Sequence, residues 1–159
     1  MMTGASILIV DDEQIARENL EFILRKEGYD TTAVDSGLTA LEELEKREFD
    51  LVLTDLRMAG EDGLHLIKRL RSLPHHPVCL LMTAYGSVET AVEAMRAGAA
   101  DYLTKPLNLE EVDHKVALHL RARRLESENR ELRDLADRKT AKGGPLDAIV
   151  GRSAGMAEI

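Results

Sequence analysis

Three short aliphatic runs constrain the fold of this chain more than any other feature, at residues 7–10, 51–53 and 78–82. None of them alternates with polar residues, so each is predicted to be a parallel strand that is covered on both faces. Two weaker strands are expected at 29–34, where Thr31 and Thr32 are typical of an edge strand, and at 99–103. The sequence therefore predicts five strands.

Segments with helical periodicity separate these strands. Gly28 and Gly98 lie where helix C-caps are expected. The strict alternation predicts an α/β fold: a doubly wound, five-stranded parallel sheet with helices on both faces. The predicted inward-facing stripes are Ala16, Leu20, Ile23 and Leu24; Leu38, Leu41 and Leu44; Leu64, Ile67 and Leu70; Val88, Ala91, Val92 and Met95; and Leu109, Val112 and Val116.

Composition excludes several classes of protein. A net charge of -8 over 159 residues argues against a general nucleic-acid binder, because phosphate contacts need an excess of Lys and Arg. The single cysteine, Cys79, fits a reduced compartment and rules out an internal disulfide. No apolar stretch approaches membrane-spanning length and no signal peptide is recognisable, so a cytoplasmic protein without a membrane partner is expected.

Polar residues follow four of the predicted strands: Asp11-Asp12, Asp55, Thr83-Ala84 and Thr104-Lys105-Pro106. Because the carboxyl ends of parallel strands share one edge of a sheet, these groups are predicted to converge. Three carboxylates repel one another unless a cation intervenes, and an oxygen site of this kind suits Mg²⁺ and phosphoryl transfer. Asp55 would then be the nucleophile, while Lys105 and Thr83 would stabilise charge on the transferring group. Each feature alone is ordinary; paired acids after a strand usually mark a solvated helix N-terminus.

The motifs Asp11-Asp12-Glu13, the run 50–63, Met82-Thr83-Ala84 and Lys105-Pro106 resemble the receiver domains of two-component response regulators. The resemblance covers about residues 5–120, which are assigned as the receiver domain, and it implies a flavodoxin-like sheet with the strand order 2-1-3-4-5. Two departures are visible. Met58-Ala59 stands where many relatives carry Met-Pro, and Arg57 and Tyr85 are bulky at positions that tune water access to the acyl phosphate. The second departure predicts a long-lived phosphoryl state.

The resemblance implies a role for each site residue. Asp55 takes a phosphoryl group from the phosphohistidine of a sensor histidine kinase. Asp12 binds Mg²⁺ directly, Asp11 assists through water, and Asp55 and the backbone carbonyl of Arg57 complete the protein ligands. Lys105 contacts the phosphoryl group and is joined to Pro106 by a cis bond. Thr83, which Ala84 follows in the catalytic motif, moves toward the phosphoryl oxygen, and Tyr102 then turns inward as the second switch residue.

Residues 111–140 are predicted to continue the last receiver helix as a coiled-coil linker, because Leu118, Leu125 and Leu132 recur every seven residues. Placing these leucines at d puts Asn129 at a, a position where asparagine fixes two-stranded parallel register. A homodimer through the linker helix is the prediction. The alternative is one long solvated helix with incidental leucines.

Residues 146–159 resemble the first residues of the AAA+ domain in NtrC-like, sigma-54-dependent activators, and are assigned as the truncated start of such a domain. The resemblance implies DNA and sigma-54 RNA polymerase as partners of the full-length protein. No phosphate-cradling loop of the form G-x-x-x-x-G-K-[ST] is present, so the chain is not expected to hydrolyse ATP. Its expected catalysis is limited to its own phosphoryl transfer and slow autodephosphorylation.

Other functional classes stay open on the sequence. A haloacid-dehalogenase-type phosphatase places its nucleophile after the first strand in D-x-D, whereas here Asp11 and Asp12 are adjacent. A flavin protein needs a phosphate-cradling loop after strand one, where the adjacent carboxylates would repel a phosphate. A receiver that controls an unrelated effector, or a stand-alone phosphorelay module, is the remaining alternative.

Overall fold

The computed structural model describes residues 4–56, 63–83 and 88–143, without the side chains of residues 64, 88, 90, 91 and 137–143. Strands and helices alternate along these residues, as predicted. The elements are β1 (Ser6–Val10), α1 (Gln14–Lys26), β2 (Asp30–Val34), α2 (Gly37–Lys46), β3 (Leu51–Asp55), α3 (Gly63–Leu70), β4 (Val78–Thr83), α4 (Val88–Ala97), β5 (Asp101–Thr104) and α5 (Leu109–Gly143).

The sheet has the strand order β2-β1-β3-β4-β5, and every neighbouring pair is parallel. The predicted doubly wound fold is therefore confirmed. β2 lies at one edge, as its threonines indicated. Thr31 is nevertheless buried, and its hydroxyl accepts a 2.7 Å hydrogen bond from the Arg25 side chain on α1.

Two hydrophobic cores cover the two faces of the sheet. Leu8 and Val10 of β1 point into the core that α2, α3 and α4 complete, whereas Ile7 and Ile9 point into the core completed by α1 and α5. All four side chains are fully buried, and each such burial stabilises the fold by about 1.5–3 kcal/mol. Double-sided burial is the reason why the strand sequences are continuous apolar runs.

The predicted inward faces of α2 and α4 are wrong in part. Leu38 is 65% exposed, while Ala40 is buried against the sheet. On α4, Val92 and Met95 are exposed and Ala94 is buried. Leu44 of α2 is buried as predicted, and in both helices an alanine is also buried, where its small side chain lets the helix backbone approach the strands closely.

Where side chains are described, the remaining stripes agree with the structure except at Leu109, the first residue of α5, which is 37% exposed. Leu20 and Leu24 of α1 are buried, as are Ile67 and Leu70 of α3, which Leu66 joins. Gly28 and Gly98 end their helices with φ values of 95° and 128°, in the left-handed region that glycine adopts without strain, so both predicted caps are confirmed.

The chain forms two compact units, Met1–Arg121 and Ala122–Ile159. In the first unit, Val112, Val116 and Leu120 of α5 are buried in the core shared with α1. In the second unit, the described part of α5 exposes Leu125 and Leu132. None of the described helices combines the length and apolarity that crossing a membrane requires. The predicted AAA+ segment at 146–159 lies outside the described residues.

Candidate functional site

The strand register brings the predicted site residues to one edge of the sheet. Asp11 and Asp55 lie beside each other because the preceding residues of β1 and β3 are paired. Thr83 ends β4, and Lys105 follows the residue of β5 that pairs with Thr83. The pairs that set this arrangement are Val10 with Thr54, Asp55 with Met82, and Thr83 with Thr104.

Asp11 is completely buried, and each of its polar groups has a hydrogen-bond partner. Its N–H donates to the Val34 carbonyl at 3.2 Å, and its own carbonyl accepts from Arg17 Nη1 at 2.9 Å. Its Oδ1 accepts from the Glu13 N–H at 3.0 Å, and its Oδ2 accepts from Lys105 Nζ at 3.2 Å. This set of bonds fixes the orientation of the buried carboxylate.

Lys105 is the cation between two buried carboxylates. Its Nζ lies 2.7 Å from Asp55 Oδ2 and 3.2 Å from Asp11 Oδ2. Burial alone would lower the pKa of Lys105, but the hydrogen bonds and negative charges of Asp55 and Asp11 outweigh it, and the pKa is raised. Lys105 is therefore a fixed positive charge at neutral pH.

The main chain around Lys105 also ties β5 to β4. The Lys105 N–H donates to the Thr83 carbonyl at 2.8 Å, and the Lys105–Pro106 bond is cis, as the family resemblance implied. The ammonium group is thus anchored beside the end of β4, where Thr83 is buried.

Asp11, Asp12 and Asp55 form an acidic pocket that can hold a divalent metal ion. One carboxylate oxygen from each lies within 4.8 Å of the others, and Asp12 is the exposed member. Carboxylate oxygens are the hard donors that Mg²⁺ prefers in proteins, so the donor set fits this cation. The predicted fourth ligand, the Arg57 carbonyl, lies outside the described residues.

Gly63 is a site residue whose role the sequence did not reveal. It begins α3, and its N–H donates to the Leu56 carbonyl at 2.7 Å. A Cβ at this position would lie 2.4 Å from the carbonyl oxygen of Asp55. The close approach of the start of α3 to β3 therefore requires a glycine at this position. A glycine at the start of a helix, eight residues after a strand that ends in an acidic residue, is the signal that could have indicated this role.

Arg17 was also missed, because it belongs to no motif and reaches the Asp11 carbonyl only through the conformation of the first turn of α1. Among the predicted switch residues, Thr83 is buried and Tyr102 is 42% exposed. Ala84, Met58-Ala59 and Tyr85 lie outside the described residues.

A doubly wound parallel sheet whose strand ends gather three carboxylates and a lysine defines a class of α/β proteins with a cation site at the carboxyl edge of the sheet. The family profile described as "Response regulator receiver domain" matches residues 7–117. The chain belongs to the response regulator receiver domain family, and the predicted family resemblance is confirmed.

Individual relatives agree with this assignment. The chain is 50% identical over 105 residues to the transcriptional regulatory protein ZraR of Escherichia coli (strain K12), a match that covers 65% of this chain and 24% of the relative. It is 43% identical over 129 residues to the regulatory protein AtoC of the same strain, a match that covers 81% of this chain and 27% of the relative. The chain thus spans about a quarter of the length of these curated relatives.

Solved structures share the fold. The crystal structure of NtrX from Brucella abortus in complex with ADP superposes with a TM-score of 0.78 at 30% sequence identity, covering 82% of this chain and 30% of that chain. The similarity therefore extends to a protein much longer than the present chain.

Proposed function

We propose that this chain accepts a phosphoryl group on Asp55 from the phosphohistidine of a sensor histidine kinase, and that the phosphorylated state controls an attached effector domain. The observation that carries the proposal is the position of Lys105 Nζ, 2.7 Å from Asp55 and 3.2 Å from Asp11, at the edge of an acidic pocket. This arrangement supplies a nucleophile, a fixed cation and metal ligands at one point.

The chemistry proposed for these residues is a displacement at phosphorus. An oxygen of the Asp55 carboxylate forms a bond to phosphorus while the P–N bond of phosphohistidine breaks. The ring nitrogen keeps the electron pair and takes a proton from water, which leaves neutral imidazole and an aspartyl phosphate. Lys105 neutralises charge on the phosphoryl oxygens, and the Thr83 hydroxyl donates a hydrogen bond to one of them.

Mg²⁺ is the proposed cofactor, held by Asp12, Asp55, the Arg57 carbonyl and, through water, Asp11. When bound, it neutralises negative charge on the transferring group. Beyond its own phosphorylation and slow autodephosphorylation, the chain is proposed to have no enzymatic activity.

A cavity beside the site supports a protein as the phosphoryl donor. It has a volume of about 600 Å³ and is lined by one face of α1 and by the segment that joins β5 to α5. Lys105 lies in its wall, and Ile15, also in its lining, is 71% exposed. Because this surface adjoins Lys105, a kinase that presents its phosphohistidine to Asp55 can bury the exposed isoleucine against an apolar face of its own.

The proposed effector is a sigma-54-dependent transcription activator of the NtrC-like type, with DNA and sigma-54 RNA polymerase as partners of the whole, cytoplasmic protein. In support, the 50%-identical relative is named a transcriptional regulatory protein, and this chain spans about a quarter of its length. A receiver that controls an unrelated effector, or a stand-alone phosphorelay module, is the alternative.

A homodimer through α5 is part of the proposal. Leu118, Leu125 and Leu132 are 48%, 57% and 64% exposed, and they recur at heptad spacing. Exposed leucines at this spacing favour a contact between two helices rather than a solvated helix with incidental leucines. The reason is that association of two such helices reduces the apolar surface exposed to water.

Intact-mass measurement after incubation with acetyl phosphate and Mg²⁺ tests the function. The wild type should gain one phosphoryl group, and the gain should disappear when EDTA removes the metal. Asp55→Asn should not be labelled, because an amide is not a nucleophile under these conditions. Asp134→Asn, which removes an exposed carboxylate on α5, should be labelled like the wild type. Equal labelling of Asp55→Asn and wild type would contradict the proposal.

A further inference from the structure

Lys115 on α5 makes three contacts with the neighbouring strand β5. Its Nζ donates a 2.7 Å hydrogen bond to the Tyr102 carbonyl and lies 3.3 Å from Asp101 Oδ1. It also lies 5.4 Å from the centre of the Tyr102 ring, over its face. One ammonium group thus holds both the main chain and the side chain of Tyr102.

Asp101 completes a charged cluster around Tyr102. Its Oδ1 accepts the Tyr102 N–H at 2.8 Å, and its Oδ2 lies 3.0 Å from His119 Nε2. The side chains of Asp101, Lys115 and His119 are 26%, 23% and 20% exposed, so the cluster is largely withdrawn from water. Partial desolvation strengthens these contacts relative to exposed ion pairs.

The charge state of Asp101 agrees with this geometry. Burial alone would raise the pKa of Asp101, but hydrogen bonds from His119 and the Tyr102 amide, together with the charge of Lys115, lower it. The carboxylate is therefore ionised at neutral pH and holds the Lys115 ammonium group over the ring.

Tyr102 lies on the strand that leads to Lys105. It stands three residues before Lys105, which directly follows β5 and contacts Asp55. In this structure the Tyr102 ring is partly exposed and faces the Lys115 ammonium group. A ring that leaves this position gives up the contact, because a cation–π interaction requires the cation within about 6 Å of the ring centre.

We propose that Lys115 is a positioning residue that holds the Tyr102 ring at the surface. Lys115 thereby sets how much occupancy of the phosphoryl site is needed to move the ring inward. The inference rests on the proposed function and adds a residue of α5 to it. Removing the Lys115 charge makes the inward ring position relatively more favourable, so the occupied state of the site forms at a lower ligand concentration.

The test is a titration of the full chain with beryllium fluoride in the presence of Mg²⁺. The ¹⁹F signal of bound fluoride gives the midpoint, and 3-fluorotyrosine incorporation reports on the ring, with the Tyr102 resonance assigned by its loss in Tyr102→Phe. Lys115→Met should lower the midpoint by about threefold to fivefold, in line with a cation–π contact. Lys115→Arg should stay near wild type, because guanidinium also stacks on tyrosine, and the exposed-lysine control Lys26→Met should not change it.

A double-mutant cycle separates positioning from general destabilisation. In a Tyr102→Leu background, Lys115→Met should no longer change the midpoint, because the ring through which Lys115 acts is absent. A shift that persists in that background, or an unchanged midpoint for Lys115→Met alone, overturns the inference. If Lys115→Met does not fold, Lys115→Gln keeps a donor for the Tyr102 carbonyl without the charge and must give the same shift. A folded wild type that binds no beryllium fluoride would instead contradict the proposed function.

Discussion

At the scale of single residues, the acidic pocket is defined by an imbalance of charge. In the described part of the chain, three carboxylates gather near the ammonium group of Lys105, which bonds to the two buried carboxylates, Asp11 and Asp55. Asp12 is exposed and belongs to the same cluster. Its negative charge therefore repels the other two carboxylates in the absence of a metal ion and attracts a cation when one is available.

Asp12→Ala should weaken Mg²⁺ binding by at least about tenfold and leave the metal-free protein equally stable, or more stable by up to about 1 kcal/mol. The reason is that the substitution removes a metal ligand and relieves like-charge repulsion at once. Isothermal titration with Mg²⁺ measures the first effect, and urea unfolding in EDTA measures the second. Asp134→Ala serves as the control for loss of an exposed carboxylate. Marked destabilisation of metal-free Asp12→Ala would show that the cluster is not under repulsive strain.

The sequence identifies the charged site residues but not those that support them. Asp11, Asp55 and Lys105 directly follow or end apolar strands, so the rule that strand ends share one edge is enough to bring them together. The contacts of Arg17 and Lys115 depend on where two helices lie against the sheet. No local sequence pattern encodes the position of a helix against the sheet. From the sequence alone, both residues are therefore expected to be ordinary exposed cations.

At the scale of secondary-structure elements, strands were predicted more reliably than helix faces. A strand buried on both sides is apolar over most of its length, so the continuous run at β1 indicates such a strand. A helix that packs closely on a sheet buries small side chains, and Ala40 and Ala94 carry little hydrophobic signal. The larger Leu38 and Val92 dominate the periodicity although they face solvent.

The start of α3 also packs closely on the sheet, and it requires the glycine at position 63. Gly63→Ala should destabilise the protein by roughly 1–3 kcal/mol, because the new Cβ would lie 2.4 Å from the Asp55 carbonyl oxygen and the backbone must move. The displacement should also slow labelling of Asp55 by acetyl phosphate. Gly4→Ala is the matched control: its φ of 86° adds backbone strain, but nothing lies within 4 Å of its Cβ. Gly4→Ala should therefore keep the wild-type labelling rate, and a Gly63→Ala protein that does the same would contradict this role.

At the scale of the whole molecule, α5 belongs to both compact units. Val112 and Val116 are buried in the first unit, and Leu125 and Leu132 are exposed in the second. The same helix thus carries a stripe that stabilises the receiver and a stripe available to a second copy of the chain. Because different residues form the two stripes, dimer formation should be separable by mutation from phosphorylation at Asp55.

Leu125→Asp should convert a dimeric chain to monomers. In a parallel dimer the substitution places two carboxylates in an apolar seam, and burying an unpaired charge costs several kcal/mol, so the dissociation constant should rise by at least about 100-fold. Asn129→Leu should have the opposite effect on dimer stability, because the buried amide pair specifies register at a cost in stability. Ser127→Asp adds the same charge to an exposed position outside the predicted seam and should leave the dimer intact.

Multi-angle light scattering over a range of chain concentrations measures the oligomeric state, and intact mass after acetyl phosphate treatment measures Asp55 labelling in the same samples. All three variants should be labelled like the wild type, since none of the substituted residues lies in the compact unit that contains Asp55. A wild type that stays monomeric at high concentration, or a Leu125→Asp variant that stays dimeric, would show that these leucines do not form the seam. Any dimer contact would then have to involve the surface of the unit Met1–Arg121, where Val92, Met95 and Tyr102 are exposed.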